Sequence, residues 1–327
     1  MKFLVLGGTG FLGQKICQKL AEKGHSVRAY SPSASSCIFH PGVTAINGLI
    51  YDINEIEKHI DWSDVIVHFI SISTPHSSFF NPYQDITGNL LPFLQLLDKL
   101  KDKPVKKKVV FCSSGGAVYG NSLSLPLTEL HPKYPTTPYG IVKSAMEDYL
   151  QFYHDKHGVR FLIVRPSNVY GLKLRSVGKQ GIISTLVHNS FHDLETTIWT
   201  NRENVRDFLF IEDFAEGFMS LINANAEGVF NLGTGKGCSI NEVIQIVGQA
   251  INKEIVTKAN GHMITDELIN VLDVTKVYRE TGWIAKTELA EGIKIIVKQY
   301  GESSSFKKNT MLYKKIKFGQ DTGSEVL

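Results

Sequence analysis

Tyr139 and Lys143 stand four residues apart in the run Thr136-Thr137-Pro138-Tyr139-Gly140-Ile141-Val142-Lys143. Pro138 suits a helix start, and Ile141 to Tyr149 is helix-compatible. The spacing therefore predicts a phenol and an ammonium on one helix face. A free tyrosine ionises near pH ~10. A nearby cation stabilises the phenolate and lowers that value, which would make Tyr139 a usable base at neutral pH. The spacing alone also fits a chance pair on a solvated helix, so its meaning depends on its surroundings.

Lys2 to Leu6 reads as a short buried parallel strand. Gly7-Gly8-Thr9-Gly10-Phe11-Leu12-Gly13 follows, and Gln14 to Lys23 has helical spacing that ends at Gly24. Strand, glycine loop and helix form the context of a dinucleotide-binding fingerprint. Glycines let backbone approach a pyrophosphate, and the helix N-terminus supplies N–H donors. Ser26 to Tyr30 reads as the second strand. There an acidic residue would normally take the adenosine ribose hydroxyls of NAD. This chain has Tyr30-Ser31-Pro32-Ser33 instead. No carboxylate opposes a 2′-phosphate, and Ser31 or Ser33 could bond to one, so NAD and NADP both stay open. Strand alternation would turn the nearby Arg28 away.

The 327 residues are 43% hydrophobic and 20% charged, an ordinary globular composition with room for a real core. A net charge of +3 is too small to point to nucleic acid. No apolar run approaches the roughly 18 residues of a membrane span. Cys17, Cys37, Cys112 and Cys238 lack C-x-x-C spacing and read as free thiols in a reducing cytoplasm. His40, His59, His68 and His76 lack metal-ligand spacing, and His188 with His192 reads as a solvated or substrate-lining pair, so no metal is expected. Trp62, Trp199 and Trp283 are read as packing residues.

Further strands are expected at Asp64–Phe69, Val109–Cys112 and Val159–Val164, alternating with helices at Ile86–Leu100 and from Tyr139 to about His157. Ser71 to Pro82 reads as a polar loop at a strand's C-terminal end, and Lys101 to Lys108 as a solvated basic turn. This alternation implies an α/β fold, a doubly wound parallel sheet. Ser239 to Glu242 fits a capping box. Residues 301–327 read as a tail, with Met311–Phe318 a weak candidate for membrane-surface contact.

In order, the glycine loop, Asp52, Ser113-Ser114, Tyr139-x-x-x-Lys143, Arg165-Pro166-Ser167-Asn168-Val169-Tyr170-Gly171 and Val205-Arg206-Asp207-Phe208 resemble one family. It is the extended short-chain dehydrogenase/reductases, in the nucleotide-sugar epimerase/dehydratase branch, near the UDP-glucose 4-epimerases. The likeness covers about residues 1–300. It implies a Rossmann-type NAD(P)-binding domain at 1–170 with a return segment at about 205–235, and a smaller C-terminal α/β sugar-nucleotide domain at 171–300. It also implies a homodimer formed through Asp85–Leu100 and Tyr139–His157.

By that resemblance, Gly7, Gly10, Phe11, Leu12 and Gly13 would hold the cofactor pyrophosphate, Ser31 would sit at the adenosine ribose, and Asp52 and Ile53 would flank the adenine. Lys143 would bond to the nicotinamide ribose and lower the pKa of Tyr139. Asn168 and Arg206 would contact the nucleotide diphosphate, with Asp266 near the uridine or ribose end; a guanidinium fork matches phosphate oxygens. Counting back from Val118-Tyr119-Gly120 puts the catalytic hydroxyl position at Gly115, whereas counting from Tyr139 puts it at Ser114, which is preferred. Met263 stands where the family often has an arginine.

The expected reaction is 4-epimerisation of a nucleotide-diphosphate sugar, in which Tyr139 takes a proton from the sugar hydroxyl and a 4-keto sugar turns over in the pocket. The alternative is an NAD(P)H-dependent 4-keto-sugar reductase, supported by Ser31. A dehydratase would need an acid beside the catalytic hydroxyl, and Gly116 and Ala117 supply none. A non-catalytic sensor conflicts with an intact Tyr139 and Lys143.

Overall fold

The computed structural model describes residues 1–103, 107–121, 124–171, 181–259 and 268–302. Its frame is a seven-stranded parallel sheet. The strands are β1 (Lys2–Leu6), β2 (Ser26–Ser31), β3 (Val43–Asn47), β4 (Val65–His68), β5 (Lys108–Cys112) and β6 (Arg160–Pro166), with β10 (Gly228–Leu232) at the far edge. Their spatial order is β3-β2-β1-β4-β5-β6-β10.

The strand sequences are apolar at nearly every position because both faces are covered. Phe3, Val5, Val27, Ala29, Val65, Val67, Val110 and Val164 point into one core. Their neighbours Leu4, Leu6, Tyr30, Ile66, Val109, Phe111 and Ile163 point into the other. The first core is covered by α1 (Phe11–Glu22) and, beyond the sheet, α7 (Ile182–Phe191), α8 (Ile211–Asn223), α9 (Ile240–Ile251) and α11 (Leu289–Glu302). The second is covered by α2 (Ile53–Trp62), α5 (Leu91–Lys101) and α6 (Pro138–His157). Helices on both faces of a parallel sheet make the doubly wound fold that the sequence predicts.

The segment expected to be a polar loop holds two short helices, α3 (Pro75–Phe80) and α4 (Pro82–Asp85), each opened by a proline after a side-chain cap from Thr74 or Asn81. A π-helical turn, Ile86–Leu90, joins α4 to α5. The described ends of the basic turn are not simply solvated, and residues 104–106 lie outside the described residues. Lys99 and Lys103 pair with Glu57, and Lys108 is buried in β5 with its ammonium on Asn225.

The remaining strands form smaller sheets. β7 (Asn168–Tyr170), β11 (Gly237–Ser239) and β13 (Ile269–Asn270) all pair with β9 (Val205–Phe210), and β8 (Thr196–Ile198) pairs with β12 (Thr257–Ala259). Thus β9 serves the small sheet while β10 returns to the large one. α10 (Thr275–Thr281) packs behind β10.

Candidate active site

The sheet order reverses between β1 and β4, and open α/β sheets bind ligands at such a switch point. Gly7 stands there with φ +82°, and a Cβ on it would lie 3.0 Å from the Ile70 nitrogen beyond β4. A Cβ on Gly13 would sit 2.3 Å from the Gly7 carbonyl oxygen, and one on Gly8 2.7 Å from the Ala29 Cβ. Larger residues would push α1 off the sheet. Gly10 caps α1 without a side chain, and no acid occupies its first turn. The first N–H groups of α1, from Phe11 to Gly13, are those a helix leaves without intrahelical partners. This cradle fits a dinucleotide pyrophosphate.

At the end of β2 the buried Ser31 hydroxyl lies 2.7 Å from Thr9 Oγ1, so it is tied to the glycine loop. Arg28 turns away as strand alternation predicts: its guanidinium stacks 4.0 Å over Trp62 and meets His59 Nδ1 at 3.1 Å. Asp52 caps α2 by accepting from the Glu55 N–H through Oδ1, which places Ile53 as the first helical residue.

Thr137 caps α6 by accepting from the Gly140 N–H, Pro138 opens the helix, and left-handed Gly158 ends it. Tyr139 is partly exposed and Lys143 is buried. The Lys143 ammonium donates to the Cys112 carbonyl at the end of β5 (2.9 Å) and lies 5.7 Å from the centre of the Tyr139 ring. Phenol and ammonium therefore do share a helix face at the C-terminal edge of the sheet. The expected fall in the Tyr139 pKa is not what this geometry gives. Burial of the phenol pushes its pKa up, the Cys112 thiol and Asp85 push the same way, and a hydrogen bond with Ser71 only partly opposes them. Burial also lowers the pKa of Lys143. Desolvation, which residue spacing does not reveal, outweighs the neighbouring cation.

A side chain at position 115 would be crowded. A Cβ there would lie 2.7 Å from Leu272 Cδ1 and 3.1 Å from the Pro166 carbonyl oxygen, inside the packing. A Cβ on the next residue, Gly116, would be 3.9 Å from both Ser114 Oγ and Asn168 Oδ1, so those two side chains share one wall. The Gly140 position, where a Cβ would meet the Ala117 carbonyl at 2.3 Å, presses the start of α6 against this loop. Asn168 donates to the Asp207 carbonyl (3.2 Å), and the buried Arg206 donates to the Val205 carbonyl (2.9 Å). Asp266 and Met263 lie outside the described residues.

Several site residues escaped the sequence reading. Ser78 accepts from the Tyr139 N–H (3.2 Å), fixing the first turn of α6. Asn270 is wholly buried and donates to the Gly115 carbonyl (3.0 Å). Arg165, read as one letter of a motif, pairs with Glu147, and Glu147 lies four residues beyond Lys143, a spacing that could have revealed it. Trp199 is no core residue: it is 48% exposed and its ring meets that of His76 at 4.8 Å. His188 and His192 are not simply solvated, since both rings approach the hydroxyl of buried Tyr300. No group of three or more potential metal ligands occurs among the described residues. No helix among them is long and apolar enough to cross a membrane.

The glycine cradle and the Tyr139–Lys143 pair on α6 stand at the C-terminal edge of one doubly wound sheet, where open α/β folds bind nucleotides. The chain belongs to the NAD dependent epimerase/dehydratase family, whose model matches residues 3–233. It is similar to a Methanocaldococcus jannaschii protein provisionally named UDP-glucose 4-epimerase, at 32% identity over 90% of this chain and 96% of that one. It is also similar to the dTDP-4-dehydro-6-deoxyglucose reductase of Escherichia coli, at 26% identity over 90% and 96% of the two chains. Among solved structures, the UDP-glucose 4-epimerase of Thermus thermophilus, in complex with NAD, superposes with a TM-score of 0.85 at 28% identity, covering 93% of this chain and all of that one.

Proposed function

We propose that this protein is a nucleotide-sugar 4-epimerase acting on a UDP-hexose. The observation that carries the reading is the placement of Tyr139 and Lys143 on one face of α6, at the edge of the sheet that holds the glycine cradle. In this reading NAD, held by Gly7, Gly10, Phe11, Leu12, Gly13, Ser31, Asp52 and Ile53, supplies the hydride acceptor. Tyr139 would take the proton of the sugar C4 hydroxyl once the positive charge of bound NAD offsets the burial that keeps the phenol neutral, and would later return one. Ser114 donates to the same sugar oxygen, and Lys143 orients the nicotinamide ribose. Asn168 and Arg206 grip the diphosphate, with Asp266 toward the uridine. That anchor keeps the keto sugar bound while it presents its other face. Relatives and a neighbouring structure named as UDP-glucose 4-epimerases support the substrate class. In the same reading the enzyme works in the cytoplasm, where its nucleotide-sugar substrate would be met, and acts as a homodimer.

A 4-keto-sugar reductase is the second reading. Ser31 in place of a ribose-binding acid and a Tyr139 held as a neutral phenol both favour it, since a reductase needs a proton donor. The similarity to the reductase of Escherichia coli points the same way.

The deciding experiment denatures the purified protein and identifies the released cofactor, then assays UDP-galactose and UDP-glucose interconversion without added cofactor. About one NAD per subunit with turnover supports the epimerase. No bound cofactor, with NADPH consumed on a 4-keto-6-deoxysugar nucleotide, overturns it in favour of the reductase. Tyr139→Phe is expected to lower kcat about 10²- to 10⁴-fold, and full turnover in that variant would remove the proposed chemistry.

A further inference from the structure

Asp85 is a wholly buried carboxylate that the proposed reaction does not use. It closes α4, just before the π-helical turn that packs with α4 against α6. One oxygen, Oδ1, accepts from the Ser73 hydroxyl and from Asn89 Nδ2 (3.0 Å). The other, Oδ2, is buried with no hydrogen-bond partner among the described residues. A buried carboxylate oxygen without a donor is costly unless a positive charge lies nearby to offset it.

Because α4 packs against α6, the Lys143 ammonium lies within electrostatic reach of Asp85. The charged and titratable groups facing that ammonium are His68 from β4, Cys112 from β5, Tyr139 and Glu147 from α6, and Asp85 from α4. His68 is buried against Phe93 and Phe111, and neighbours a cation without balancing it. Glu147 has both oxygens on the Arg165 guanidinium, so much of its charge is already matched. Asp85 is the facing carboxylate that keeps an oxygen in reserve.

We propose that Asp85 is the counter-charge of the Tyr139–Lys143 pair, a positioning residue that holds Lys143 as an ammonium in a site otherwise dry enough to neutralise it. The same negative charge opposes formation of the Tyr139 phenolate, so it favours the step in which Tyr139 gives its proton back. Burial and field agree with the geometry: Asp85 works against the desolvation that lowers the Lys143 pKa, and with the desolvation that raises that of Tyr139. The inference takes the role of the pair from the proposed function, but its test needs no substrate.

The test is a pH titration of the holoprotein carrying ¹⁵Nζ-labelled lysine, followed by NMR. The Lys143 resonance is assigned by its loss in Lys143→Met. Asp85→Asn keeps the shape and the Oδ1 acceptor while removing the charge. It is expected to move the Lys143 midpoint down, and by more than Ser73→Ala does. Ser73→Ala, which removes a hydrogen bond to Asp85 and leaves the charge, is expected to leave the midpoint near its wild-type value. An unmoved midpoint in Asp85→Asn, or an equal shift in Ser73→Ala, overturns the proposal. Asp85→Ser gives the same reading if the Asn variant yields no folded protein. Such a failure would leave the epimerase reading standing, because that rests on cofactor release and turnover.

Discussion

Glu147 and Arg165 meet as a two-pronged ion pair inside the protein, with Nε to Oε1 at 3.0 Å and Nη2 to Oε2 at 2.6 Å. The pair ties α6, which carries Tyr139 and Lys143, to β6, which leads into Ser167 and Asn168. Arg165 also donates to the Tyr119 hydroxyl (2.9 Å), which donates to Asn231 Oδ1 (2.6 Å). The network thus crosses from helix to strand to the loop bearing Ser114. A fork geometry with every prong used is the case in which a buried pair holds its own against desolvation. Glu147→Gln should destabilise the fold by about 3–5 kcal/mol, because the buried Arg165 guanidinium is left unmatched, and Arg165→Met by less, because Lys133 still lies 3.5 Å from Glu147 Oε2. The combined Glu147→Leu/Arg165→Met protein should regain much of that loss. Urea unfolding midpoints of the three variants check both statements.

The parts of the site made by backbone were legible in the sequence, and the parts made by burial were not. Gly7 to Gly13 could be read because glycine is demanded by local geometry that any such loop shares. Alternating apolar runs gave the strands, since both sheet faces are covered. The Tyr139–Lys143 geometry followed from helix periodicity alone. Asn270 was missed because its partner, Gly115, lies far away in sequence, and Asp85 because its role depends on complete burial, which the local sequence does not mark. Gly115 against Ser114 could not be weighed by counting, because the crowding at position 115 comes from Leu272 on the far side of the loop. Trp199 was misjudged because aromatic residues usually pack, and nothing local marks it as facing His76.

His68 links the site to acid stability. It is buried at the end of β4, and burial, reinforced by Lys143, lowers its pKa to about 3 from the ordinary 6.5. The folded protein therefore holds this ring neutral where the unfolded chain would protonate it. The stabilisation is fully present above pH 6.5 and is lost progressively as the pH falls toward about 3. Within that window this one group should cost up to about 1.4 kcal/mol per pH unit. Stability measured in urea at pH 7 and at pH 5 should differ by an amount that shrinks in His68→Leu. An unchanged pH slope in that variant would assign acid sensitivity to other groups.

The outer faces of α4 to α6 predict self-association. Ile141, Tyr149 and Phe152 recur at helical spacing on the exposed side of α6, opposite Lys143 and Glu147. Tyr83 and Leu91 stand exposed on α4 and α5, which pack beside that helix. Exposed large apolar side chains on neighbouring helices are the material of an interaction face. Sedimentation of the wild-type protein should give a dimer, and Ile141→Glu/Phe152→Glu should give a monomer with its sheet intact. A wild-type monomer at micromolar concentration would remove this part of the proposal.

The clearest test of the hydroxyl assignment sets two substitutions side by side. Ser114 shares a wall with Asn168, and Gly115 faces Leu272 and the Pro166 carbonyl. If Ser114 polarises the sugar oxygen, Ser114→Ala should lower kcat by about 10²-fold with a smaller effect on KM, as expected for a donor that acts mainly on developing charge. Moving the hydroxyl one residue along should not restore it. Gly115→Ser in the Ser114→Ala background would aim its side chain into the packing, where a Cβ already lies 2.7 Å from Leu272 Cδ1. That double variant is expected to stay as slow as Ser114→Ala and to lose stability by about 1–3 kcal/mol from overpacking. Recovery of turnover in the double variant would show that the loop can re-aim, and would return the role to position 115.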